Sequence, residues 1–92
     1  MGVIYVLRGP DGKMYVGQTR RELHVRLREH WDRPHTEIGR ALRRHGRWDP
    51  AAKTIRGFRV LAFPCADHRL GEREARLIAQ LKTMAPAGYN RQ

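Results

Sequence analysis

A chain of 92 residues with 19 Lys+Arg against 9 Asp+Glu, a formal charge of +10, is sized for one domain with one modest core and suits a polyanionic partner. Its single cysteine, Cys65, excludes an intramolecular disulfide, and no apolar run reaches the roughly 20 residues needed to span a bilayer. No signal peptide is visible, so the expectation is a soluble, cytoplasmic protein that engages no membrane. Lys13, Lys53 and Lys82 are the only lysines. The remaining positive charge is arginine, whose planar fork suits bidentate phosphate contact and makes nucleic acid the expected partner.

Residues 3–7 (Val-Ile-Tyr-Val-Leu) form a continuous β-branched and aromatic run, which predicts a buried strand. Gly9-Pro10-Asp11-Gly12 carries dense turn chemistry, and residues 14–17 resume a strand, predicting an antiparallel hairpin with Tyr5 and Tyr15 near each other. Thr19 and Glu22 have capping-box spacing, predicting a helix over 20–31 with Leu23, Leu27 and Trp31 on one face and Arg26 and His30 at its edge. Asp32-Arg33-Pro34 breaks that pattern. Thr36 is expected to cap a second helix through His45, with Ile38, Ala41 and Leu42 as its apolar stripe and Gly46 as its stop.

Residues 47–56 read as a polar, irregular loop, and residues 58–63 as a third strand ended by Pro64. A last helix is predicted over 70–82, then a turn through Pro86 and Gly88 into Tyr89-Asn90. The expectation is one α+β domain over 1–92, a small three-stranded antiparallel sheet flanked by about three helices, with no separate DNA-recognition domain.

Two features carry chemistry. Tyr15, Gly17 and Arg26 lie on a strand, a close turn and the following helix, so all can address one cleft. Gly17 serves the close backbone turn with or without chemistry. In the last helix Glu74 falls within the stripe of Leu70, Leu77, Ile78 and Leu81. A carboxylate there is either salt-bridged to an arginine or is a metal ligand or acid/base group. His30 reads most simply as helix-face packing. Cys65 and His68 form only half of a metal spacing.

These residues, taken together and in order, resemble the GIY-YIG nuclease family. Gly2-Val3-Ile4-Tyr5 occupies the place of the first motif and Tyr15-Val16-Gly17 that of the second. Arg26, eleven residues after Tyr15, matches the family's helical arginine, and His35 a histidine that many homing-type members carry. Glu74 stands in a segment like the family's glutamate segment, and Gly88-Tyr89-Asn90 resembles its terminal Gly-Tyr-Asn. Val3 replaces the first motif's glycine, and Gln18 stands where repair-type members carry lysine, which favours the homing or phage-type branch.

The resemblance implies a metal-dependent DNA endonuclease that hydrolyses phosphodiesters with one Mg²⁺ or Mn²⁺ held chiefly by Glu74. Arg26 would hold phosphate, and Tyr5 is favoured over Tyr15 as base or water-orienting group, with His35 assisting and Asn90 ordering the site. Lys13, Gln18, Arg20, Arg40, Arg43 and Arg44 are the expected nucleic-acid contacts. The expected substrate is double-stranded or branched DNA, cut by a monomer or weak homodimer. The competing expectation is a DNA- or RNA-binding module that keeps the fold without the activity.

Overall fold

The first strand is the axis of the fold because both of its edges are paired. In the computed structural model, which describes residues 1–91, β1 (Gly2–Arg8) lies between β2 (Met14–Thr19) and β5 (Arg59–Cys65). Both pairings are antiparallel, with Tyr5 opposite Gly17 on one side and Ala62 on the other. Strand alternation then divides the core in two. Tyr5 and Leu7 pack with Leu27, Ile38, Leu42 and Ile55 on one face of the sheet. Ile4, Val6 and Val16 pack with Leu70 on the other.

The first face is covered by α1 (Leu23–Trp31) and α2 (Glu37–His45), and the second by α3 (Leu70–Leu81), preceded by a short 3₁₀ turn over Asp67–Arg69. The three-stranded antiparallel sheet with three helices is as the sequence predicts. No helix among the described residues is long and apolar enough to cross a membrane.

Several local expectations are corrected. The Thr19–Glu22 capping box does not form. Thr19 stays in β2 opposite Val3, its Oγ1 accepts the Arg21 N–H at 3.1 Å, and α1 starts three residues late, at Leu23. Thr36 does cap α2, accepting the Gly39 N–H at 3.0 Å. Gly46, however, ends that helix in extended backbone (φ −131°), so it supplies no left-handed cap; its use is steric, since a Cβ there would meet Ile55 and the Arg56 carbonyl. The expected loop over 47–56 is a second hairpin, β3 (Arg47–Asp49) with β4 (Thr54–Arg56), in which Trp48 faces Ile55. Asp49 closes its turn by accepting the Ala51 and Ala52 N–H groups and the Arg56 guanidinium. Pro64 does not end β5, because an edge strand tolerates a residue with no N–H to donate.

The outer edge of β2 is covered by the C-terminal tail. The Tyr89 N–H donates to the Met14 carbonyl, and the Asn90 carboxamide reproduces a strand's pairing with Val16: Oδ1 accepts the Val16 N–H at 2.8 Å and Nδ2 donates to the Val16 carbonyl at 2.9 Å. Thr83 Oγ1 also donates to Asn90 Oδ1, at 2.6 Å, and Tyr89 Oη donates to Asp11, at 2.6 Å. A side chain thus closes an edge that would otherwise present unpaired backbone groups.

Asn90→Ala leaves those Val16 groups and the Thr83 hydroxyl without partners. The expected cost is about 2–4 kcal/mol, read as a lower urea midpoint at unchanged slope. A change below about 0.5 kcal/mol contradicts the clamp.

Candidate active site at the edge of the second strand

Tyr5 is wholly buried in mid-strand, yet its ring reaches the sheet edge because the residue opposite has no side chain. A Cβ on Gly17 would overlap Tyr5 ring atoms, so Gly17 is the slot through which the ring passes. The Tyr5 hydroxyl meets His30 Nε2 of α1 at 2.6 Å. Tyr15, two residues before Gly17 on the same face, completes an aromatic triangle. Its ring centroid lies 6.2 Å from that of Tyr5 and 5.1 Å, edge-on, from that of His30.

Arg26, one helical turn before His30, supplies the cation beside both phenols. It is not loose: Nη1 donates to Glu29 at 3.0 Å, and Glu29 also receives Arg21. Arg21 first and Arg26 second hold the Glu29 carboxyl down to about 2. The Arg21–Glu29–Arg26 chain fixes the guanidinium while leaving its side chain 29 % exposed. Glu29 is a positioning residue that the sequence pattern did not single out.

Glu74 enters from the opposite face of the sheet, half-buried on α3. Burial pushes its carboxyl up, while the Gln18 side chain and the Arg26 charge draw it partly back. Glu74 forms no ion pair among the described residues, whereas Glu72 on the same helix pairs with Arg76 at 3.2 Å. The salt-bridge alternative for Glu74 is therefore not what the structure contains. Residues from β1, β2, α1 and α3 converge on one rim. They are a buried phenol, a second phenol, a fixed cation, a neutral imidazole and a half-buried carboxylate.

The electrostatics bear on the expected role of Tyr5 as base or water-orienting group. Desolvation pushes both phenols above the ordinary tyrosine range, and the pull of Arg26 on each is the weaker effect. Neither tyrosine rests as a phenolate. Burial likewise lowers the His30 imidazole to about 4, with Arg26 adding to the shift, so His30 is neutral at physiological pH and its Nε2 can accept the Tyr5 hydroxyl's hydrogen bond.

Other expected site residues lie elsewhere. His35 is exposed in the 32–36 connection, where its carbonyl accepts Arg40 at 3.3 Å, and its imidazole forms no hydrogen bond or ion pair among the described residues. The histidine beside Tyr5 is His30 instead, which the sequence showed only as a residue of the α1 face. Asn90 is buried on Val16 backbone with its carboxamide engaged, a structural clamp rather than a group free to order a metal shell. Gln18 is beside Glu74, and Arg20 is exposed where β2 ends. Lys13, Arg40 and Arg44 lie together around a cavity of about 230 Å³ next to the C-terminal turn. Arg43 is committed to Trp31, donating to its carbonyl at 2.9 Å and stacking 4.2 Å over its ring. No family model, curated protein or solved structure significantly matches the chain.

The depressed His30 value has a consequence for acid stability. The unfolded imidazole protonates below pH about 6.5 while the folded one resists until about 4, so the unfolded state binds the extra proton between them and stability falls as pH falls through that window. The loss attributable to His30 is on the order of 3 kcal/mol, complete below the folded value. Proton NMR should give the His30 ring a midpoint near 4, and His30→Gln should flatten the dependence of Tm on pH between 6.5 and 4. A His30 midpoint at the ordinary 6.5 contradicts this burial.

Proposed function

We propose that the chain is a metal-dependent DNA endonuclease of GIY-YIG type that hydrolyses phosphodiester bonds at the rim formed by Tyr5, Tyr15, Arg26, His30 and Glu74. The observation that carries this reading is their convergence: groups from four separate stretches of sequence meet at one sheet edge, and Arg26 acts electrostatically on both phenols and on Glu74. The formal charge of +10 supports a polyanionic substrate. The exposed Arg20 and the Lys13, Arg40 and Arg44 cluster are the candidate contacts to the DNA backbone.

The donors at the rim fit a hard divalent cation, Mg²⁺ or Mn²⁺. Glu74 and the Gln18 carboxamide offer oxygen, and no group of three or more His, Cys, Asp or Glu side chains gathers as a metal cage among the described residues. Mg²⁺ suits so sparse a protein shell because it keeps much of its water and takes substrate phosphate oxygens. When bound, such an ion neutralises phosphate charge and makes coordinated water more acidic.

The chain's own groups divide the remaining work. Arg26, permanently charged and fixed by Glu29, holds a non-bridging phosphate oxygen and stabilises the charge that builds there. The Tyr5 hydroxyl orients the attacking water. As the water oxygen bonds to phosphorus, Tyr5 takes its proton and passes its own to His30 Nε2 across the 2.6 Å contact. The P–O3′ bond breaks, and the leaving oxygen is protonated from solvent. The relay avoids a free phenolate, which burial opposes, and leaves a charged imidazole that burial also opposes, so His30 must pass the proton on to solvent promptly. Tyr15 walls the water side of the rim.

Supercoiled plasmid tests the reading. Wild type nicks it in Mg²⁺ and not in EDTA, while Glu74→Ala cuts at least about 10²-fold more slowly and still retards the plasmid on a gel. Equal cutting by Glu74→Ala overturns the assignment of Glu74. Retardation by wild type without metal-dependent cutting favours a non-catalytic binding module.

A further inference from the structure

Away from the rim, α1, α2 and the β3–β4 hairpin enclose an open groove of about 820 Å³ walled by Trp31 and Trp48, with Arg43, Arg44, Arg47 and Arg56 around it. Both indoles are half-buried, and each carries a guanidinium: Arg43 at 4.2 Å from the Trp31 ring centre and Arg28 at 5.2 Å from that of Trp48. No carboxylate lines the groove among the described residues. The acids that neighbour its walls have partners of their own: Asp49 pairs with Arg56 at 2.8 Å and Asp32 with Arg28 at 3.2 Å, while Asp11 lies 3.6 Å from His45 at the groove's end.

We propose that this groove binds unpaired nucleotides, so that the DNA substrate is one with a single-stranded arm, flap or junction. Duplex bases are stacked on one another and show only their edges, so they cannot lie on an indole. A splayed base can, or can lie on the guanidinium layered over it, while Arg44 and Arg47 take the adjoining phosphates. Charge complementarity selects a polyanion, and the two indoles, each with its guanidinium, select a base-bearing one. Trp31 ends the helix that carries Arg26, five residues on and roughly 8 Å along its axis. The choice of cleavage substrate rests on the nuclease reading; the binding itself does not.

The chain has two tryptophans, and both wall this groove, so intrinsic fluorescence reports it alone. In EDTA, oligothymidylate should quench that emission at about tenfold lower concentration than a duplex with the same number of phosphates, and Trp48→Leu should weaken single-strand binding about tenfold with little change in duplex binding. The wild-type comparison needs no variant, so a misfolded Trp48→Leu leaves the test intact. Equal quenching by single strand and duplex overturns the proposal. Plasmid nicking without quenching by oligothymidylate also overturns it and leaves the nuclease reading standing. Single-strand-selective quenching by a protein that never cuts supports the groove and removes the nuclease. Perturbation by polyglutamate but not oligothymidylate assigns the groove to an acidic protein and overturns the proposal.

Discussion

The structure depends on the passage of one aromatic ring over a position with no side chain. Tyr5 belongs to the central strand and is fully buried, yet its ring lies across the neighbouring strand and its hydroxyl meets His30 of α1. Only glycine opposite it, at position 17, leaves the ring room to lie there. The ring's burial has two effects that pull in opposite directions. It fixes the hydroxyl within 2.6 Å of a histidine nitrogen, and it makes ionisation of that hydroxyl unfavourable. A neutral histidine at hydrogen-bond distance gives that hydroxyl a fixed acceptor. The function proposed here uses that pair.

The edge of β2 is where the two faces of the sheet meet, and it assembles groups that neither face could gather alone. Tyr5 and Tyr15 arrive from the side of α1 and α2, and Gln18 and Glu74 from the side of α3. Arg26 lies near enough to act on both sets. Such an edge also invites pairing with other chains. Asn90 removes that hazard by engaging Val16 as a strand would, so the terminal Gly-Tyr-Asn contributes to the architecture of this edge.

Much of this was legible in the sequence, for physical reasons specific to each element. The β1–β2 hairpin was readable because β-branched runs flank a Gly-Pro-Asp-Gly turn, and Glu74 stood out because a carboxylate breaks the apolar stripe of α3. The second hairpin was hidden because Trp48 and Ile55 are its main apolar contacts amid polar residues, and tertiary packing rather than periodicity makes it a sheet. The Thr19 cap failed because sheet pairing with Val3 competes for the same residue. His30 was visible only as a helix-face residue. Its role depends on where the Tyr5 ring emerges, which follows from the strand register and not from spacing along α1.

Removal of a single oxygen tests the central claim most directly. Tyr5→Phe keeps the ring in the Gly17 slot and deletes only the hydroxyl that faces His30. The rate to compare is single-turnover, metal-dependent nicking by this variant and by wild type, with circular dichroism confirming an unchanged fold. The account predicts a loss of at least about 10²-fold in the cleavage step with DNA affinity preserved. Cleavage at the wild-type rate would contradict it, because Tyr5 would then serve the sheet and not the reaction.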